Sequence, residues 1–150
     1  MARKYELITE LYEQTLREVS ARQTNWTAFL RSACRNYRLP FEELLLIYAQ
    51  RPDATAVLPI EGANGWNTRF GRWVNRGAHG IALIDTRGRR PRLRYVFDVS
   101  DTHPSRERLG RPLRLWTIRP EQQEAVSAKL EQMYPDAGIT GMGFTEKIIK

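Results

Sequence analysis

Apolar residues recur with the period of a helix along the first fifty positions. Ile8, Leu11, Tyr12, Leu16 and Val19 keep that spacing through a segment dense in Glu, Gln and Arg, which predicts an amphipathic helix over residues 4–22. Thr24 or Asn25 is placed to cap a second helix with Trp26, Phe29, Leu30 and Ala33 on one face, ending before Leu39-Pro40. Pro40 suits the first turn of a third, and "FEELLLIYAQ" is apolar on most sides before Arg51-Pro52 stops it, so this helix belongs at the centre of the core.

Beyond Pro52 the pattern changes. "TAVLPI" reads as a β-type fragment and "EGANG" as a loop. From Trp66, the residues Trp66, Phe70, Trp73 and Val74 fall on one helical stripe, with Arg69, Arg72 and Arg76 on the stripe beside it. Gly77 then stands at the position that ends a helix. Gly71 inside this helix weakens it by about 1 kcal/mol of propensity, so a short helix or an irregular turn is the alternative. "IALID" and "LRYVFDV", separated by "TRGRRPR", predict a β-hairpin over residues 81–99. Leu93, Tyr95, Phe97 and Val99 alternate with Arg94, Val96 and Asp98, so one face is more deeply buried than the other. "LRLWTI" reads as a last short strand, and Pro120 opens a final helix in which Val126, Leu130, Met133 and Tyr134 face inward before Pro135. The pattern as a whole predicts an α+β domain over residues 1–135, its helices packed on a small, mainly antiparallel sheet with an Arg-rich β-hairpin. Residues 136–150 form a tail or the start of a linker to a further domain.

Charge alters this picture more than bulk composition does. Thirteen arginines and no lysine lie between Trp66 and Arg119 against four acidic residues, a local charge of +9. The chain as a whole carries +7, so the rest of it is slightly acidic. Arg87, Arg89, Arg90, Arg92 and Arg94 crowd the hairpin tip, where a solubilising turn is the bland alternative to a binding surface. Arginine forks onto phosphates and stacks on flat rings, which points to a polyanionic partner. The lone Cys34 excludes an internal disulfide and is expected to be a small core residue. The longest apolar run, Leu44 to Ala49, is far too short to cross a bilayer, and the N-terminus lacks an apolar leader, so the expected setting is cytoplasmic with no membrane partner.

No catalytic constellation is apparent. His79 lies in a glycine turn and His103 in "SDTHP", and the chain contains no HExxH, no Gly-x-Ser-x-Gly and no Walker loop. "GRWVNRGAHG" lacks dinucleotide-binding spacing and precedes a strand instead of following one. Asp98, Asp101 and His103 form the one conceivable metal set, with both carboxylates better placed to pin the end of the hairpin. The reading is therefore non-catalytic, with no metal and no cofactor. Trp66 and Trp73 each have two roles open, core packing or stacking on an unpaired base. A duplex, with its bases already stacked, offers nothing for the second role.

"FEELLLIYAQRPDATAV", "WNTRFGRWVNRGAHGIALID" and "YVFDVSDT" together resemble the N-terminal domain of ArdC-like antirestriction proteins. That module is also found in plasmid primases and in large polyproteins of mobile elements. The resemblance runs from about Trp26 to Thr102 and rests on Ile47 to Thr55 together with Trp66, Gly71, Arg72, Val74, Gly77, Gly80 and Ile81. It implies single-stranded DNA binding in a conjugation or antirestriction context. In the ArdC-like proteins a separate metallopeptidase-like domain follows. Members often carry lysine after the tryptophan and in the turn, where this chain has Arg76 and Ala78-His79, which keeps the surface positive and leaves individual phosphate contacts unassigned.

The function expected from the sequence is non-catalytic, largely sequence-independent binding of single-stranded DNA. Arg69, Arg72, Arg76, Arg87, Arg89, Arg90 and Arg92 are its candidate phosphate contacts, and Trp73 is the stacking residue. Two alternatives stand beside it. One is an inhibitory module docking its arginine face on a host defence or conjugation protein. The other is the N-terminal fragment of a larger enzyme, whose remaining domains would then be partners. The net positive charge contradicts mimicry of DNA by an acidic surface.

Overall fold

The computed structural model describes residues 2–105 and 118–133. The chain divides into two compact units, Met1–Pro112 and Leu113–Lys150. The first has an α+β fold. Helices α1 (Ala2–Ala21), α2 (Gln23–Arg35) and α3 (Phe41–Gln50) are followed by strand β1 (Val57–Leu58) and the short helix α4 (Trp66–Phe70). Strands β2 (Arg72–Val74), β3 (Ile81–Asp85) and β4 (Arg92–Asp98) come next, then a single 3-10 turn (Val99–Asp101) and strand β5 (Thr102–Pro104). All pairings among the described residues are antiparallel: β4 lies between β1 and β3, and β2 pairs with β5 in a separate two-stranded ribbon.

Helix α3 occupies the centre, as its unbroken apolar run predicts. Leu45 packs with Val19 of α1 and Phe29 of α2. One residue on, Leu46 and Ile47 turn to the other side and join Ala54, Val57, Ile81, Leu83 and Val96 of the sheet and its approaches. Consecutive helical residues point about 100° apart, so a helix sandwiched between two layers must be apolar on adjacent faces. The predicted α1 stripe holds, with Val19 buried and Ile8, Tyr12 and Leu16 packed against the two clusters.

Two local expectations change. No side chain caps α2, because only Arg22 separates it from α1. Asn25 instead donates from Nδ2 to the carbonyl of Glu18 (2.9 Å), satisfying one of the acceptors left open at the end of α1. Cys34 is exposed, not a core residue: it lies five residues after Phe29, about 140° around the helix from the buried face. The expected asymmetry of β4 is present, with Leu93, Tyr95 and Phe97 on its less buried face. Val96 and Asp98 lie on the buried one.

Of the two readings open for the stretch from Trp66, the short helix holds: α4 stops at Phe70 and the stripe does not continue to Val74. Gly71 adopts a left-handed conformation (φ 61°, ψ 33°), which only glycine enters cheaply, and sends Arg72, Trp73 and Val74 into β2. What decides this is a partner remote in sequence: Arg72, Trp73 and Val74 pair with Pro104, His103 and Thr102. Gly77 (φ 84°) serves not a helix end but the turn closed by the Ala78 N–H and the Asn75 carbonyl (3.1 Å).

In the second unit α5 (Pro120–Met133) starts at the predicted proline. Val126 and Leu130 are half-buried, while Met133, expected to face inward, is 57% exposed. The expected strand "LRLWTI", Tyr134 and the tail from 136 to 150 lie outside the described residues, Ile118 excepted.

Candidate nucleic-acid interface

One polar cluster, containing Arg51, belongs to the fold itself. Asp98, its side chain 3% exposed, accepts hydrogen bonds from the backbone N–H groups of Thr55 (2.8 Å) and Ala56 (3.0 Å) and from the N–H and hydroxyl of Ser100. Burial alone would raise this carboxyl, but the bonds from Ser100, Ala56 and Thr55 together outweigh it and hold the group below the usual carboxylate range. Arg51 spans the same junction, donating to Asp101 (2.8 Å) and to the Ser100 hydroxyl (3.0 Å). Thus "RPDAT" and "DVSD", far apart in sequence, form one polar latch. The carboxylates pin the end of the hairpin, and His103 faces Asn75 instead (Nδ1 to Oδ1, 2.6 Å). No group of three metal-ligating side chains occurs among the described residues.

Two further residues of the quoted stretches have structural duties. Gln50 accepts from the N–H of Ala82 and donates to its carbonyl (2.9 Å each), so its amide closes the edge of β3 that faces away from β4. Trp66, fully buried, donates from its indole nitrogen to the carbonyl of Phe97 (2.8 Å).

The expected aromatic stripe is therefore split. Trp66 enters the core, and Trp73, carried out by the turn at Gly71, stands 48% exposed in the β2–β5 ribbon opposite His103. The arginines expected on the adjacent stripe part company too. Arg72 is a structural residue, donating from Nε to the Thr102 hydroxyl (2.7 Å) and from Nη2 to the Thr102 carbonyl (2.9 Å). Arg69 is exposed, its guanidinium 5.3 Å from the centre of the Phe70 ring, and Arg76 is exposed in the turn after β2.

A second group occupies the loop from Thr86 to Pro91 between β3 and β4. Arg89 and Arg90 are exposed there. Arg87 and Arg92 are exposed as well, but both lean on Asp85, the last residue of β3. Arg94, the fifth arginine of the tip sequence, instead pairs with Glu43 at the start of α3. Beside this pair a groove of about 380 Å³ runs between α3 and the hairpin, lined by Tyr12, Pro40, Leu46, Ile84 and Thr86 among others.

The two groups do not merge. Strand β4 carries the chain from the tip at Arg92 to the latch at Asp98, a span of about 20 Å at 3.4 Å per residue, and Trp73 lies in the ribbon beyond that latch. A ligand touching both would have to run along the length of the domain, as an extended polymer does. Asp85, Gln50 and the Glu43–Arg94 pair are not among the residues that the sequence pattern singles out. An aspartate closing an apolar strand two residues before an arginine is the signal that marks the first; nothing local marks the others.

Comparison with known protein families, curated proteins and solved structures gives no match. No described helix is long and apolar enough to cross a membrane.

Proposed function

We propose that this chain is a non-catalytic module that binds single-stranded DNA with little sequence preference. The observation that carries the reading is Trp73: the same short stretch buries Trp66 completely and leaves the other indole half exposed. Burial of an indole is the favourable default, and a solvent-facing one on a strand offers a flat surface for an unpaired base, worth about 1–3 kcal/mol per base. Arg69 and Arg76 flank it in sequence, and the hairpin tip supplies more exposed guanidinium groups along the domain. The resemblance to ArdC-like N-terminal domains supports a cytoplasmic, mobile-element setting, in conjugation or antirestriction.

Fluorescence anisotropy with labelled single-stranded and duplex oligonucleotides of equal length, across a salt series, tests this. Tighter binding of the single strand is expected, with log affinity falling by about 0.7 per neutralised phosphate per log unit of salt. Trp73→Ala should weaken single-strand binding by about tenfold. Absence of binding to either form at low salt overturns the reading and leaves the arginine surface to an acidic protein partner.

A further inference from the structure

We infer that Asp85 makes Arg87 and Arg92 a preset clamp for one phosphate group of a bound strand. This deepens the single-strand reading and rests on it for the identity of the ligand.

The geometry begins at the register. Asp85 is the last residue of β3 and faces Arg92, the first of β4, while Arg87 follows two residues into the loop. The Asp85 side chain is 3% exposed, whereas those of Arg87 and Arg92 are 78% and 76% exposed. Asp85 Oδ1 accepts from the backbone N–H of Arg87 (3.1 Å) and from its Nε (2.9 Å), and Oδ2 accepts from Arg87 Nη2 (3.2 Å) and Arg92 Nη2 (3.5 Å). Arg87, through its side chain first and its backbone second, holds this carboxyl well below the usual carboxylate range, so the anchor stays ionised at neutral pH.

Each guanidinium has five N–H donors in a rigid fork. Arg87 spends its Nε edge on the carboxylate, which leaves both Nη1 hydrogens and one on Nη2 for an outside acceptor. Arg92 approaches Oδ2 through Nε and Nη2 (3.5 Å each) and keeps its Nη1 hydrogens likewise. Two guanidinium groups held on one buried carboxylate thus present outward donors a short distance apart. A phosphodiester, whose single negative charge is shared by two unesterified oxygens, is the acceptor that matches them. One carboxylate does not neutralise two arginines, and the stretch from Asp85 to Arg92, with Arg89 and Arg90, keeps a charge of +3. An arginine already held by an anchor loses less side-chain freedom on binding than one that is not. Arg87 and Arg92 therefore set position, and Arg89 and Arg90 contribute field.

The test turns on a sign. Removing a negative charge beside phosphate contacts should tighten binding if only electrostatics matters, whereas losing the anchor should weaken it. In the full chain Asp85→Asn is expected to bind a single-stranded oligothymidylate about three- to tenfold more weakly than the unsubstituted protein, despite its additional net positive charge. Equal or tighter binding by Asp85→Asn overturns the clamp and leaves the single-strand reading standing, provided the unsubstituted protein binds.

A second measurement does not depend on the variant folding. In the unsubstituted protein, titration with inorganic phosphate should shift the NMR signals of the Arg87 and Arg92 Nη groups before those of Arg89 and Arg90. Shifts of equal size at all four, or none, reject the clamp. The phosphate titration also decides the clamp if the oligonucleotide does not bind at all, an outcome that sinks the proposed function separately.

Discussion

Arg51 and Arg89 are the same side chain put to opposite uses. Arg51 closes the latch between the end of α3 and the end of β4, with partners in Asp101, Ser100 and, at longer range, Asp53 and Asp98. Arg89 stands exposed in the hairpin loop. The charge count treats the two alike, yet one is part of the fold and the other of the surface. What separates them is whether a carboxylate or carbonyl is held within reach by a different element. Arg72 and Arg94 belong with Arg51 by this criterion, and Arg87 and Arg92 lie between the extremes, anchored and still exposed. Surface charge is therefore concentrated in fewer residues than the thirteen arginines of the middle segment suggest.

The sharpest way to break this contrast is at Asp98. Asp98→Ala removes the acceptor for two backbone N–H groups and for Ser100, leaving part-buried donors unpaired around the site of a buried carboxylate. A loss of about 3 kcal/mol is expected, read as a lower urea midpoint. A change below about 0.5 kcal/mol would place the latch in the same class as a surface ion pair.

Gln50 makes the next largest effect. Gln50→Ala frees both the N–H and the carbonyl of Ala82 on a buried stretch of β3, at a cost of about 2 kcal/mol. It also uncovers a strand edge, so increased self-association on sedimentation should accompany the loss of stability. A monomeric variant of unaltered stability would show that the amide is incidental to the edge.

How much of this is legible in the sequence depends on the distance over which each residue is satisfied. The α1 and α3 stripes, the hairpin and the proline opening α5 follow from local period and turn chemistry. The helix through Trp73 fails because β2 is chosen by a strand thirty residues away, and period alone cannot register that pairing. Which face of β4 is the buried one is likewise set by remote partners. Asp98 goes inward because the backbone of Thr55 and Ala56 receives it, and Arg94 because Glu43 does, so polarity misleads where a remote partner exists. For the candidate site, the tip arginines stand out as a cluster in the sequence, but the roles of Arg72 and Asp85 are set by what stands opposite them in space.

A smaller effect tests the turn that separates the two tryptophans. Gly71→Ala places a side chain in a left-handed backbone conformation and should cost about 1 kcal/mol, measured by the same denaturation. Because Trp73 leaves the helix stripe at this residue, single-strand affinity per folded molecule should fall as well. Unchanged stability and affinity would mean that the chain reaches the ribbon equally well without glycine.

The smallest effect on stability is expected where the effect on binding is most informative. Arg89→Ala combined with Arg90→Ala removes two exposed side chains, so the urea midpoint should move by no more than about 0.5 kcal/mol equivalent. The slope of log affinity against log salt should become shallower by up to about 1.4, two fewer neutralised phosphates at about 0.7 each. Arg51→Ala should do the reverse, lowering the midpoint while leaving the slope of the folded fraction unaltered, because its donors are already spent inside the latch. If the tip variant unfolds, or if Arg51→Ala flattens the salt dependence as much as the tip variant does, the division between structural and surface arginines is wrong.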